Sequence, residues 1–155
     1  MYTKHLSDFK QKVHDSFEEV INDKIFILQK SLQDLIDSTK NETKSSAGDK
    51  YETTRAMLQI EQDNIKKQLQ QALEQKAAYE KTDFNTGTEM IKKGSLVNTD
   101  KGYFFISTSL GKINMEGFIV RAISPQSPLG SQLIGLKISE IVKINGVNYT
   151  VKSIY

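Results

Sequence analysis

The hydrophobic periodicity of the chain changes near residue 94, and this change constrains the fold more than any other feature. Before it, apolar residues recur every three or four positions, which is typical of one face of a long helix. The first such stripe consists of Leu6, Phe9, Val13, Phe17, Ile21, Ile25, Leu28, Leu32 and Leu35. The second consists of Tyr51, Leu58, Ile65, Leu69, Ala72 and Tyr79. Spacings of seven recur in both, as at the a and d positions of a coiled coil, so the pattern predicts an antiparallel helical hairpin.

A polar segment, residues 38–50, separates the two stripes and is the predicted tip of the hairpin. It is rich in Ser, Thr and Lys, and we expect it to interrupt both helices. Asp49 is a candidate N-cap of the second helix, with Glu52 three residues later as its capping-box partner.

After residue 94 the sequence shows short β-rich runs separated by turn signals. The expected strands are 95–99, 103–108, 118–123, 140–144 and 148–154, with turns at 100–102, 110–112 and 116–117. Asn145-Gly146 predicts a two-residue hairpin, because both central positions of such a turn need positive φ.

One short helix is expected among these strands. Ser127 would cap it and Pro128 would occupy its first position. Leu133 and Ile134 would face the core, and Gly135 would close the helix. The predicted fold is therefore α+β: a helical hairpin over residues 1–81, a linker over 82–93 and a small β-rich domain over 94–155.

Composition excludes several function classes. The 155 residues contain no Cys, which excludes a disulfide framework, a Cys-ligated zinc site and a thiol nucleophile. The two histidines, His5 and His14, are nine apart and cannot both be ligands on one helical face. A net charge of +2 is too small to indicate nucleic-acid binding. Without a long apolar run, a cytoplasmic protein with no membrane contact is expected.

The last third of the chain carries a more specific pattern. Ser127-Pro128 is followed by Leu133-Ile134-Gly135, then by the strand at 140–144 and a closing strand at 149–154. Together with a preceding helical hairpin, this resembles the bacterial transcript-cleavage factors GreA and GreB. The resemblance implies an FKBP-like C-terminal domain and a monomer that binds bacterial RNA polymerase.

The resemblance implies that the C-terminal domain docks at the secondary channel of the polymerase while the hairpin tip enters it. Tip carboxylates then help to hold Mg²⁺ at the active site of the polymerase, which cleaves its own backtracked transcript. Here the acids would be Asp49 and Glu52, with Glu42 as a third. Matching Tyr51 to the tyrosine of the family instead moves the acid positions to Lys44 and Ala47, which are not acidic.

The resemblance also implies a docking surface on the short helix and its flanks. Its candidate residues are Ser124, Pro125, Ser127, Pro128 and Leu129. The chain would hold no metal and no cofactor of its own, and it would not itself be an enzyme.

Three alternative functions stay open. A weakly acidic tip fits a Gre-like protein that occupies the channel without promoting cleavage. A coiled-coil structural or interaction module could use Met57 and Ile60, which lie off the second stripe. A prolyl isomerase is the least favoured, because the β-rich part contains few aromatic residues to form an apolar pocket.

Overall fold

A computed structural model describes the backbone of residues 2–45 and 49–155, and the side chains of residues 8–41 and 52–155. Two long helices, α1 (Tyr2–Ser45) and α2 (Asp49–Lys81), precede a six-stranded mixed sheet. This confirms the predicted α+β class, with a helical hairpin followed by a small β-rich part. No helix among the described residues is long and apolar enough to cross a membrane.

The expectation that residues 38–50 interrupt both helices was wrong for most of the segment, since α1 continues to Ser45 and α2 begins at Asp49. Ser38 and Thr39 are accommodated because their hydroxyls donate to the carbonyls of Asp34 and Leu35, at 2.9 and 2.8 Å. Such bonds to the preceding turn satisfy a hydroxyl inside a helix.

The chain divides into two compact units, which we call the sheet unit (Met1–Val20 with Ala77–Tyr155) and the hairpin unit (Ile21–Lys76). In the hairpin unit the two helices are joined by a polar contact: the Gln62 side-chain amide donates to the Thr39 hydroxyl at 3.0 Å. Gln62 is buried, so this pair is a polar position within an otherwise apolar seam. Such positions are known to fix the register of paired helices.

The sheet has the strand order β3-β4-β2-β1-β6-β5. Its strands are β1 (Leu96–Thr99), β2 (Gly102–Ile106), β3 (Gly111–Met115), β4 (Phe118–Ile123), β5 (Ile141–Ile144) and β6 (Val147–Ile154). The β2–β4 pair is parallel and the other four pairs are antiparallel. A short helix, α3 (Pro128–Leu133), connects β4 to β5.

Strand β3 was not predicted, and its first residues were wrongly assigned to a turn at 110–112. It lies at the edge of the sheet and offers only Ile113 and Met115 as half-buried apolar residues, so its alternation is weak. The predicted Asn145-Gly146 turn is confirmed, with φ of 52° and 80°. Glu116-Gly117 forms a turn of the same kind between β3 and β4, with φ of 53° and 85°.

Apolar side chains cover both faces of the sheet. On one face, a buried cluster consists of Ile91, Val97, Phe104, Ile106, Leu133 and Val151. On the other face, the ring of Phe105 lies 5.9 Å from Phe17 of α1 and 5.0 Å from Phe84, centroid to centroid. Tyr79 of α2 lies 4.9 Å from Phe84 and donates its hydroxyl to the carbonyl of His14 at 2.7 Å.

Residues 82–93 belong to the sheet unit, and Ile91 anchors them to it. Ile91 is buried, its N–H donates to Leu136 at 2.9 Å, and its carbonyl accepts from Gly135 at 2.8 Å. The two compact units cut both helices, so they are not the sequence domains expected from composition. Those boundaries, at residues 81 and 93, stay a prediction.

Candidate functional site

The predicted tip acids lie at the adjoining ends of α1 and α2. Glu42 belongs to α1, and Asp49 is the first residue of α2. The side chains of both lie outside the described residues, so the metal-lending arrangement and the capping box stay predictions. Glu52 is described and its side chain is exposed on α2.

The predicted docking segment begins with a tightly hydrogen-bonded turn. The hydroxyl of Ser127 accepts from the N–H of Gly130 at 3.0 Å and donates to the carbonyl of Ser124 at 2.7 Å, which confirms Ser127 as the N-cap. The Ser124 hydroxyl is likewise used locally, donating to the side chain of Gln126 at 2.6 Å. Both hydroxyls therefore shape the turn and have local partners.

Three other residues of this segment offer apolar surface. Pro125 and Leu129 are half-buried, and Pro128 is exposed at the first position of α3. Of the two residues expected to face the core, Leu133 is fully buried, whereas Ile134 is 39% exposed. Ile134 was misplaced because α3 ends at Leu133, and the extended backbone of Ile134 turns its side chain outward. Gly135 follows with a φ of 89°, as expected of a residue that closes a helix.

A cleft of about 460 Å³ adjoins α3 on the sheet. Its lining consists of Lys101, Phe104, Arg121, Ile123, Leu129 and Tyr149. The rings of Phe104 and Tyr149 meet edge to face, with centroids 5.8 Å apart. The cleft thus has an apolar and aromatic lining with two cationic side chains, a composition common in ligand and side-chain pockets.

A second hollow, of about 550 Å³, shares Lys101 and Arg121 with this cleft and adds Lys152. Lys101 is paired with Asp100, whose carboxylate lies 3.0 Å from its ammonium nitrogen. Arg121 and Lys152 have no acidic partner among the residues that the structure describes. The two hollows together therefore present a cationic surface suited to an acidic partner.

Comparison with known proteins gives no assignment. No family model, no curated protein and no solved structure matches the chain. Its site must therefore be interpreted from its own residues.

Sequence reasoning missed the cleft because four separate elements contribute to it. Phe104 comes from β2, Arg121 and Ile123 from β4, Leu129 from α3 and Tyr149 from β6. No local spacing connects these positions. The one available signal was Leu129, which already stood among the predicted docking residues.

Proposed function

We propose that the chain is a Gre-like transcription elongation factor that binds bacterial RNA polymerase at its secondary channel. The observation that carries the proposal is the pairing of a long helical hairpin with a sheet domain in which Ser127 caps a Ser-Pro helix start. This is the layout that the sequence resemblance implies. With this role the chain acts in the bacterial cytoplasm and contributes to transcript cleavage without being an enzyme itself.

The hairpin serves in this proposal to carry carboxylates into the channel. The hairpin unit consists of two helices alone, and neither hollow is lined by its residues. Asp49 and Glu52, with Glu42, would add oxygen ligands to Mg²⁺ held mainly by the polymerase. Mg²⁺ prefers such hard oxygen ligands, and a second ion can clamp the attacking and leaving oxygens of a phosphoryl transfer.

The sheet unit serves in this proposal to dock the protein on the polymerase. Pro128 and Leu129 offer apolar surface at the start of α3, and the adjoining cleft adds Arg121. An apolar contact bordered by the positive charge of Arg121, which has no acidic partner in the described part of the chain, fits a partner surface with an exposed apolar side chain and nearby acids.

The cleavage reaction is testable with a stalled, backtracked polymerase complex. Adding the protein is expected to shorten the transcript from its 3′ end. Asp49→Asn and Glu52→Gln are expected to abolish shortening while binding to polymerase persists. Glu61→Gln, at an exposed acid farther along α2, is the matched control and is expected to retain full activity.

A channel-occupying protein without cleavage activity is the second candidate, and the composition of the tip favours it. Between residues 40 and 50 the sequence contains two acids, Glu42 and Asp49, and three lysines, so this segment carries a net positive charge. Binding to polymerase without transcript shortening would support this candidate and contradict the cleavage proposal. Failure to bind polymerase at all would contradict both.

An interaction module is the third candidate, because two large apolar side chains of α2 are exposed. Met57 is 62% exposed and Ile60 is 61% exposed. If they form a self-association surface, sedimentation of the protein should show oligomers that Met57→Lys disrupts. A monomer at all concentrations would contradict this candidate and agree with the polymerase-binding proposal.

A further inference from the structure

Three side chains of the kind that bind metals converge on one face of α1, in the sheet unit. They are His14, Asp15 and Glu18, whose nearest ligand atoms all lie within 4.8 Å of one another. The Nδ1 atom of His14 lies 3.2 Å from Oδ1 of Asp15 and 3.9 Å from Oε2 of Glu18. The sequence signal for this group was the four-residue step from His14 to Glu18, which places both on one helical face.

These separations suit a small divalent ion. Zinc binds imidazole nitrogen and carboxylate oxygen at about 2.0–2.2 Å, so two ligands of a tetrahedral zinc lie about 3.3–3.6 Å apart. The separations of 3.2 and 3.9 Å fall on either side of that range. The third separation, between the carboxylate oxygens of Asp15 and Glu18, is at most 4.8 Å. The exposed Glu18 side chain would therefore have to move by up to about 1 Å to bring all three atoms into coordination range.

The histidine ring is held in place by aromatic neighbours. It stacks on Tyr79 with centroids 5.2 Å apart and contacts Phe84 edge to face at 4.7 Å. These contacts leave its side chain 23% exposed, with Nδ1 directed toward the two carboxylates. A ring fixed in this way loses little conformational entropy when a metal binds.

One of the two carboxylates, that of Asp15, also has a hydrogen bond of the kind that surrounds metal ligands. The side-chain amide of Gln11 donates to Oδ1 of Asp15 at 2.8 Å, which is the kind of outer contact that orients a ligating carboxylate. Asp15 and Glu18 are 62% and 43% exposed, so an ion can reach them directly from solvent.

We propose that His14, Asp15 and Glu18 form a zinc site with three protein ligands, completed by water. The imidazole favours zinc over magnesium, which prefers an all-oxygen octahedral shell. The site is on α1 at residues 14–18, far in sequence from the tip acids at 42–52. It therefore neither requires nor supports the polymerase-binding proposal.

The test is calorimetric titration of Zn²⁺ into the full chain, free of any histidine tag and previously stripped of metal with a chelator. One saturable site per chain is expected, together with a rise in melting temperature on adding Zn²⁺, because an ion that binds the folded state stabilises it. Mg²⁺ at the same concentrations is expected to give no saturable signal.

The carboxylate variants Asp15→Asn and Glu18→Gln keep side-chain size and leave the His14 ring contacts intact. Each is expected to weaken zinc binding by about tenfold or more. His5→Ala, which removes the other histidine of the chain, and Glu61→Gln, which removes an unrelated exposed acid, are the matched controls and should bind Zn²⁺ like the parent.

A second measurement on the unaltered chain keeps the proposal falsifiable if a variant fails to fold. Co²⁺ bound in the proposed site should give visible absorption bands. These bands should disappear when one equivalent of Zn²⁺ is added and displaces the Co²⁺. Absence of saturable Zn²⁺ binding or of those bands would overturn the proposal. So would unchanged binding in both carboxylate variants, or loss of binding in His5→Ala.

Discussion

The stripe of α1 is enclosed to different depths in the two compact units. In the sheet unit, Val13 and Phe17 are fully buried. In the hairpin unit, Ile21 and Ile25 at the start of the unit are still buried, whereas the later stripe residues Leu28, Leu32 and Leu35 are only half-buried. The difference arises because two helices can cover one side of a side chain, whereas the sheet unit adds strands and the aromatic residues of 77–84. A regular heptad-like stripe therefore reports which face of a helix is apolar and does not report how deeply that face is buried.

The largest predicted effect sharpens this comparison at two positions of the same helix. Phe17→Ala removes a fully buried ring that stacks on Phe105, and it is expected to lower the free energy of unfolding by about 3–5 kcal/mol. Leu32→Ala removes a half-buried side chain and is expected to cost about 1 kcal/mol. Denaturant unfolding followed by circular dichroism measures both values.

Equal losses from the two substitutions would break the comparison, because they would mean that the hairpin seam is as tightly enclosed as the core of the sheet unit. An unfolding transition that separates into two steps would sharpen the comparison between the two units. In that case the Leu32→Ala variant should shift only the step assigned to the hairpin unit.

The second prediction compares a closed and an open position within the sheet unit. A Cβ added at Gly130 would overlap the backbone carbonyl oxygen of Ser124, whereas one added at Gly87 would meet nothing within 4 Å. Gly130→Ala is therefore expected to cost about 1–3 kcal/mol. Gly87→Ala is expected to be neutral or to stabilise the protein by up to about 1 kcal/mol.

Thermal unfolding of the two glycine variants gives the comparison directly. A neutral Gly130→Ala would show that the turn before α3 can shift without cost, and the tight packing inferred for the docking segment would then be wrong. A costly Gly87→Ala would mean that residues 82–93 are more constrained than their exposure indicates.

Sequence patterns correctly predicted the secondary-structure elements that are determined by residues close together in the sequence. The helices follow from their 3.6-residue periodicity, the β5–β6 hairpin from Asn145-Gly146, and the start of α3 from Ser127-Pro128. Each of these signals acts through residues a few positions apart, and each was confirmed.

Features that depend on contacts between residues far apart in the sequence could not be predicted in this way. Strand β3 exists because it pairs with β4, as Ile113 opposite Val120 illustrates, and not because of its own apolar pattern. Ile91 is buried by α3 and the following residues, which the polar character of 82–93 conceals. The cleft beside α3 is likewise a product of strand order, since Phe104 and Tyr149 are 45 positions apart.

The third prediction concerns the cap of α3. Ser127→Ala removes a hydroxyl that accepts from the N–H of Gly130 and donates to the carbonyl of Ser124, and it is expected to cost about 1–2 kcal/mol. Ser131→Ala is the matched control, because its exposed hydroxyl donates to the carbonyl of Pro128 and makes no further hydrogen bond among the described residues. Its loss is expected to stay within about 0.5 kcal/mol. Chemical denaturation of both variants measures the difference, and equal losses would contradict a capping role.

The smallest predicted effect is a pH dependence of the sheet unit, and it arises from Lys10. Burial and, to a lesser extent, the positive charge of Lys92 together lower the pKa of Lys10 to about 8, while the negative charge of Asp83 opposes the shift. The unfolded chain keeps the ordinary lysine pKa of 10.5. Between these two values the unfolded state binds more protons than the folded state, so stability is expected to rise with pH.

The rise should be confined to pH 8–10. Burial also raises the pKa of Tyr79 above its ordinary value of 10.0, so above pH 10 the unfolded state loses a proton that the folded state retains, and stability falls. Melting temperatures measured from pH 7 to 10 should therefore increase in the parent, and Lys10→Met should remove this increase. Lys66→Met, at an exposed lysine of the hairpin unit, controls for the loss of one charge. If Lys66→Met removed the increase as well, the pH dependence would come from net charge and not from the burial that distinguishes the sheet unit from the hairpin.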